Sequence, residues 1–211
     1  MHSFFVWLCF TLLLINAFAQ ANPIKPNKKH SAFDIDPKLK TVLIAKPALP
    51  IQQYPEAILL SKSKPVKEFD DNLKQTAFDM LQAMYKANGV GLAAPQLNLS
   101  FQIFVMDVGL VIPSPKVFIN PIILSASEEK FSFPEGCLSV AHIMESIKRS
   151  KTVTISAQTL TGKKVTEQFS GLAAICIQHE IDHLNGILFI DHLSREKRAK
   201  YHLDKKETSK S

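Results

Sequence analysis

At 211 residues, with 46% hydrophobic and 21% charged residues, the chain has the make-up of one ordinary globular domain with a real core, which excludes a disordered or fibrous protein. Its 25 Lys and Arg exceed its 19 Asp and Glu, but much of the +6 surplus sits at the ends, in Lys25 to Lys29 and in Arg195 to Lys210. Those stretches lack the series of interleaved aromatic side chains that stacks bases, so they read as solvated tails and no specific nucleic-acid contact is expected.

Residues 1–21, MHSFFVWLCFTLLLINAFAQA, carry no Lys, Arg, Asp or Glu, and the apolar run ends in the small-x-small sites Ala17-Phe18-Ala19 and Ala19-Gln20-Ala21. That pattern predicts a secretory signal peptide, and with it export to the periplasm or the extracellular medium and no stable membrane insertion after its removal. The run is shorter than the roughly 20 apolar residues that span a bilayer, so a retained anchor is the weaker reading. Cleavage would leave Cys137 and Cys176, too few for a disulfide framework. Residues 22–39, rich in Pro, Lys and polar residues, read as a linker or disordered arm. The folded part is expected to begin near Lys40 and to run to a polar C-terminal tail as a single domain.

Between Leu43 and Val66, Pro47, Pro50, Pro55 and Pro65 interrupt any helix and leave extended pieces and turns. Leu73, Ala77, Met80 or Leu81, and Met84 then recur at three- and four-residue steps, with Asp70 or Asp71 as the capping start and Asn88-Gly89 as the stop. This is an amphipathic helix. Short strands are predicted over 101–107, 116–119 and 151–158, the last turning at Thr161-Gly162 into 163–169 with a period of two, as in an antiparallel hairpin. Residues Gly171 to Leu184 are apolar with a helical period and stop at Asn185-Gly186. Ser194 caps a last polar helix. The fold class is α+β, with antiparallel strands packed around a buried central helix that carries an H-E-x-x-H motif.

In that helix His179 and His183 lie one turn apart, about 6 Å along the axis, so both imidazoles reach one metal ion. Glu180 lies beside such an ion, where a carboxylate takes a proton from activated water and returns it to a leaving amine. The apolar Ala173–Ile177 stretch before it makes burying these groups costly unless they are paired or metal-bound. A catalytic metal takes three protein ligands and an open position. The third candidate is Cys137 in Glu135-Gly136-Cys137-Leu138-Ser139. Cys176, three residues before His179, competes, but three ligands from one helix crowd the coordination sphere, and it reads better as a pocket residue. The loop Gly89-Val90-Gly91-Leu92-Ala93-Ala94-Pro95-Gln96 lacks the Lys-Ser/Thr of a phosphate loop and suits close approach to a substrate.

GVGLAAPQ, EGCLS and QHEIDHLNG stand in the order and at the spacing of the peptide deformylase family, which the chain resembles from about Ile58 to Leu193. The resemblance implies Cys137, His179 and His183 as metal ligands, Fe(II) as the native ion with Zn, Ni or Co as substitutes, and Glu180 as general acid/base. It implies Gln96 and the Leu138 N–H as oxyanion donors. It also implies a methionine pocket lined by Val90, Phe133, Leu172, Ile175 and Cys176, and pairing of the peptide with the Gly91 backbone. The activity implied is hydrolysis of the N-formyl group from N-formylmethionyl peptides, with release of formate, by a monomer. Ala141 and Met144 depart from the pattern, where the family commonly has a Pro and an Arg or another polar contact, which predicts altered peptide binding; Arg149 is given only a structural part. A cytoplasmic location is usual for the family, against the signal-like segment. Two other readings remain: a noncatalytic exported paralogue that binds formylated peptides or metal, and a zinc peptidase using His192 or His202 as third ligand.

Overall fold

A computed structural model of the chain describes residues 31–36, 48–109 and 112–203. The signal-like segment and most of the arm read over 22–39 lie outside the described residues, as do residues 204–211.

Helix α1, Asp71–Lys86, begins where the Asp70 carboxylate accepts the Leu73 N–H at 2.9 Å and ends before Asn88, whose φ of 56° turns the chain out of the helix. Three strands follow: β1 (Gly91–Ala93), β2 (Ile103–Met106) and β3 (Lys116–Ala126). Then β4 (Lys130–Cys137) and β5 (Val140–Ser150) form a two-stranded ribbon, and β6 (Thr152–Gln158) and β7 (Lys164–Ser170) complete a five-stranded sheet in the order β1-β2-β3-β6-β7. Every pairing between these strands is antiparallel. Helix α2, Gly171–Leu184, leaves β7 without a loop because Gly171 adopts a φ of 59°. A short α3, Arg195–Lys200, closes the described chain.

The architecture is thus α+β with antiparallel sheets, and its layering explains why β2 shows no polar alternation. Ile103 and Val105 face Ala77, Met80 and Met84 of α1, while Phe104 and Met106 face Ala174, Ile177 and Ile181 of α2. β3 divides the same way, with Val117 and Ile119 on the α1 side and Phe118 on the α2 side. A sheet covered on both faces needs apolar residues at every position.

Four features differ from the sequence reading. Phe33, inside the stretch read as a linker, is 2% exposed and packs on Phe118 at 4.6 Å, with Phe104 stacked behind at 4.5 Å. One aromatic anchor in a polar stretch creates no period, so nothing local marks it. β3 runs on to Ala126 through Pro121, and the last helix is shorter than the polar run from Arg195 suggests. The β4–β5 ribbon was not read at all, because its burial pattern follows the ribbon's partners and not a simple alternation.

Tyr85, near the end of α1, donates its hydroxyl to the Asp107 carboxylate at 2.8 Å, while the Asp107 N–H donates to the Val90 carbonyl at 2.9 Å. This buried link ties α1 to the loop ahead of β1. Tyr85→Phe should lower unfolding free energy by about 1–2 kcal/mol, because Asp107 loses one of its donors but keeps the N–H groups of Gly109 and Ser114. A urea midpoint equal to wild type would contradict this.

Candidate active site

Helix α2 carries His179, Glu180 and His183, and each is less than 10% exposed. Cys137 is the last residue of β4, followed by the two-residue turn Leu138–Ser139 into β5. The ribbon brings its Sγ to 3.2 Å from His183 Nε2, and one donor atom each of Cys137, His179 and His183 lies within 4.8 Å of the others. His179 Nδ1 sits 2.8 Å from Glu135 Oε2, so this nitrogen donates to the carboxylate and the other is left to face the cluster. Glu135 accepts in turn from Arg149 Nε at 2.8 Å and Nη2 at 3.0 Å. Arg149 Nη1 reaches Asp182 at 2.5 Å, and the same Asp182 oxygen is 2.7 Å from His192 Nε2.

The electrostatics fit a cation. Burial pushes the Cys137 thiol up, but the charge of His183 and the hydrogen bonds of His179 and His183 outweigh it and hold the group down at about 5, as a thiolate. Burial also pulls His179 toward neutrality, and contact with Cys137 and Glu135 more than offsets it. Glu135 is likewise raised by burial and then brought below the usual carboxylate range by His179 and Arg149. Burial lifts Glu180 to about 7 against the pull of the two imidazoles. A thiolate beside two imidazole nitrogens is a donor set that a divalent ion takes once the protons leave. Glu180 Oε2 and His183 Nδ1 are buried without a hydrogen-bond partner among the described residues.

The 89–96 loop closes the other side. A Cβ on Gly91 would overlap Glu180 Oε1 and come within 2.7 Å of Cys176 Sγ, so only glycine lets β1 approach α2 here. Gly91→Ala should therefore displace Glu180 and lower kcat/KM by about 100-fold, with metal content unchanged; parallel kinetics and metal analysis test it. Gln96 is 2% exposed, accepts the Ala93 N–H on Oε1 at 2.8 Å and donates through Nε2 to Ser139 Oγ at 3.0 Å. Its Nε2 also lies 3.6 Å from Cys137 Sγ. Among the described residues β1 pairs with β2 alone, so its other edge has no strand partner.

The polypeptide deformylase family model matches residues 48–199. Peptide deformylase of Psychrobacter cryohalolentis is 45% identical over 152 residues, covering 72% of this chain and 83% of that one. The crystal structure of peptide deformylase from Thermotoga maritima superposes with a TM-score of 0.67 at 44% identity, over 71% of this chain and 99% of that one. The Synechococcus elongatus enzyme, in complex with actinonin, gives a TM-score of 0.71 at 39% identity, over 77% and 89%. The chain belongs to the peptide deformylase family. It is a hydrolase that removes the N-formyl group from N-formylmethionyl peptides, and the family is metal-dependent.

One expectation is overturned by this result. Export was read from residues 1–21, but the relatives are peptide deformylases, a family whose usual location is the cytoplasm, and the family match over residues 48–199 gives residues 1–21 no support as a signal peptide. Among the described residues no helix is long and apolar enough to cross a membrane.

Of the pocket residues expected of a deformylase, Leu172, Ile175 and Cys176 fall on one face of α2 at helical spacing, the face that also carries His179. Cys176 lies against the Val90–Gly91 segment, with Sγ 3.7 Å from the Val90 carbonyl, and takes no part in the three-donor cluster. Val90 is exposed at the rim, and Phe133 is buried on β4 opposite Ile147. Sequence reasoning missed Glu135 and Asp182 and gave Arg149 only a structural part; the one available signal was that both acids sit inside the motifs that hold the proposed ligands. The histidines offered for a zinc peptidase lie elsewhere: His192 is on Asp182, and His202 is outside the three-donor group.

Proposed function

We propose that Cys137, His179 and His183 hold Fe(II), with Zn, Ni or Co able to use the same thiolate and imidazole donors. A buried helix bearing the H-E-x-x-H motif, packed against antiparallel strands, is the scaffold. The observation that carries the reading is the convergence of these three donors beside a buried carboxylate with an unpartnered oxygen. When bound, the ion supplies Lewis acidity and makes water at its open position acidic enough to be deprotonated near neutral pH.

The remaining work falls to the chain's own residues. Glu180 accepts a proton from the attacking water as its oxygen adds to the formyl carbon. Gln96 Nε2 and the Leu138 N–H donate to the carbonyl oxygen as it gains charge. Glu180 then returns the proton to the methionine nitrogen, the C–N bond breaks, and formate and the free amino terminus leave. A carboxyl held at about 7 both accepts and releases a proton at neutral pH. Val90, Phe133, Leu172, Ile175 and Cys176 receive the methionine side chain, and the open edge of β1 at Gly91 pairs with the peptide backbone. Residues 40–211 act as one catalytic domain with a polar C-terminal end, to which residues 31–36 contribute Phe33, and the enzyme works as a monomer.

The test is formate release from a formyl-Met-Ala-Ser peptide by protein purified anaerobically with Fe(II) or Ni(II). Metal-loaded protein that releases no formate overturns the reading.

A further inference from the structure

Ahead of the first helix, residues 51–54 bond to backbone carbonyls of both residues assigned to stabilise the oxyanion, Gln96 and Leu138. The Gln52 N–H donates to the Gln96 carbonyl at 2.7 Å. Two residues on, the Tyr54 N–H donates to the Ser139 carbonyl at 2.8 Å. Between them, the Gln53 side-chain amide donates to the Leu138 carbonyl at 3.0 Å and to its own neighbour's carbonyl, at Ile51, at 3.3 Å. Both carbonyls of the two-residue turn between β4 and β5 are therefore taken by this strap, and so is the backbone of Gln96.

We propose that the 51–54 strap is a positioning element for the oxyanion donors, and that Gln53 is its specificity-neutral, side-chain component, a residue that sets the tilt of the Leu138–Ser139 peptides without touching substrate. The proposal rests on the assignment of Gln96 and the Leu138 N–H as donors. A short turn has few internal constraints, and each carbonyl shares a rigid peptide plane with the next residue's N–H, so the strap fixes the Leu138–Ser139 and Ser139–Val140 planes directly; the Leu138 N–H, in the plane between Cys137 at the end of β4 and Leu138, is then restrained from both sides through the Leu138 torsions. On the opposite side the turn is held by contact: a Cβ on Gly89 would lie 2.7 Å from Leu138 Cδ1, and Ser139 Oγ accepts from Gln96. The strap supplies the restraint those contacts lack. Because donors aimed at developing charge act through their orientation, a misalignment of a few tenths of an ångström affects the transition state more than the ground state.

Gln53 is exposed, so its replacement leaves the core untouched. In the metal-loaded enzyme, Gln53→Ala should lower kcat about 5- to 20-fold with KM within about twofold, and Gln53→Glu, which sets a carboxylate against the Leu138 carbonyl, should lower it further. Gln53→Arg keeps a donor and should restore most of the rate. Melting temperature and metal content should match wild type throughout. Wild-type kcat in both Gln53→Ala and Gln53→Glu overturns the positioning role, and so does an equal loss in Gln53→Arg and Gln53→Ala. Gln96→Ala in the same assay separates the two levels: a loss there with no effect at Gln53 overturns the strap alone, whereas an unchanged Gln96→Ala enzyme overturns the donor assignment beneath it.

Discussion

Glu180→Gln should lower kcat by about 10²- to 10⁴-fold while the protein still binds metal at wild-type stoichiometry. The amide has the size of the carboxylate but cannot take a proton from water at neutral pH or return one to the leaving nitrogen. Glu180 lies one residue from His179 yet is not among the three converging donors, so its loss separates proton transfer from metal retention. The side chain is only 3% exposed, and a neutral amide there removes the cost of burying a charge, so the fold should hold. Metal analysis and single-turnover kinetics on the same preparation make the measurement. A variant that keeps its metal and more than about a tenth of wild-type kcat would remove Glu180 from the proton path; one that loses the metal would make it part of the binding site instead.

Arg149→Met should destabilise the protein by about 3–5 kcal/mol, roughly 10 °C in melting temperature for a domain of this size. The guanidinium is buried and joins two carboxylates, Glu135 and Asp182, that flank the site from a strand and from α2. Methionine fills much of the volume but leaves both acids without their cation. The effect carries into the chemistry, since Glu135 orients His179 through its Nδ1, and loss of such an orienting partner typically costs 10- to 100-fold in metal affinity. Acid titration gives a second readout. Glu135 and Asp182 have folded-state values below their ordinary ones, through burial opposed and outweighed by His179 and Arg149 for the first and by His192 and Arg149 for the second. Their stabilisation is present above the ordinary carboxylate pKa and is lost as pH falls through the depressed folded values. In Arg149→Met that acid-side slope should flatten, because the depression itself depends on the arginine. An unchanged melting temperature together with an unchanged slope would show that the two acids do not depend on Arg149.

Much of this site was legible in the chain because its chemistry is local. The His179–His183 spacing follows from the helical repeat, the apolar stretch before it demands compensation for burial, and Asp70 and Asn88 bound a helix by capping rules that act over three or four residues. The β6–β7 hairpin was equally readable, since its alternation and the turn at Gly162, with a φ of 79°, lie within one short stretch. Cys137 was preferred to Cys176 as the third donor because three ligands from one helix crowd an ion and because EGCLS resembles the family motif. What the chain did not show is the β4–β5 ribbon that carries the Cys137 sulfur to His183, because its strands lack a simple alternation even though they pair across a two-residue turn.

The sequence by itself determined the helices, the hairpin and the chemical identity of the site, because capping, periodicity and ligand spacing are properties of neighbouring residues. Only the tertiary structure decided that Phe33 belongs to the core, that Arg149 bridges two acids, and that residues 51–54 hold the turn carrying Leu138. Those contacts join segments tens of residues apart, and their energy depends on distance and burial that arise only when the sheet and α2 come together.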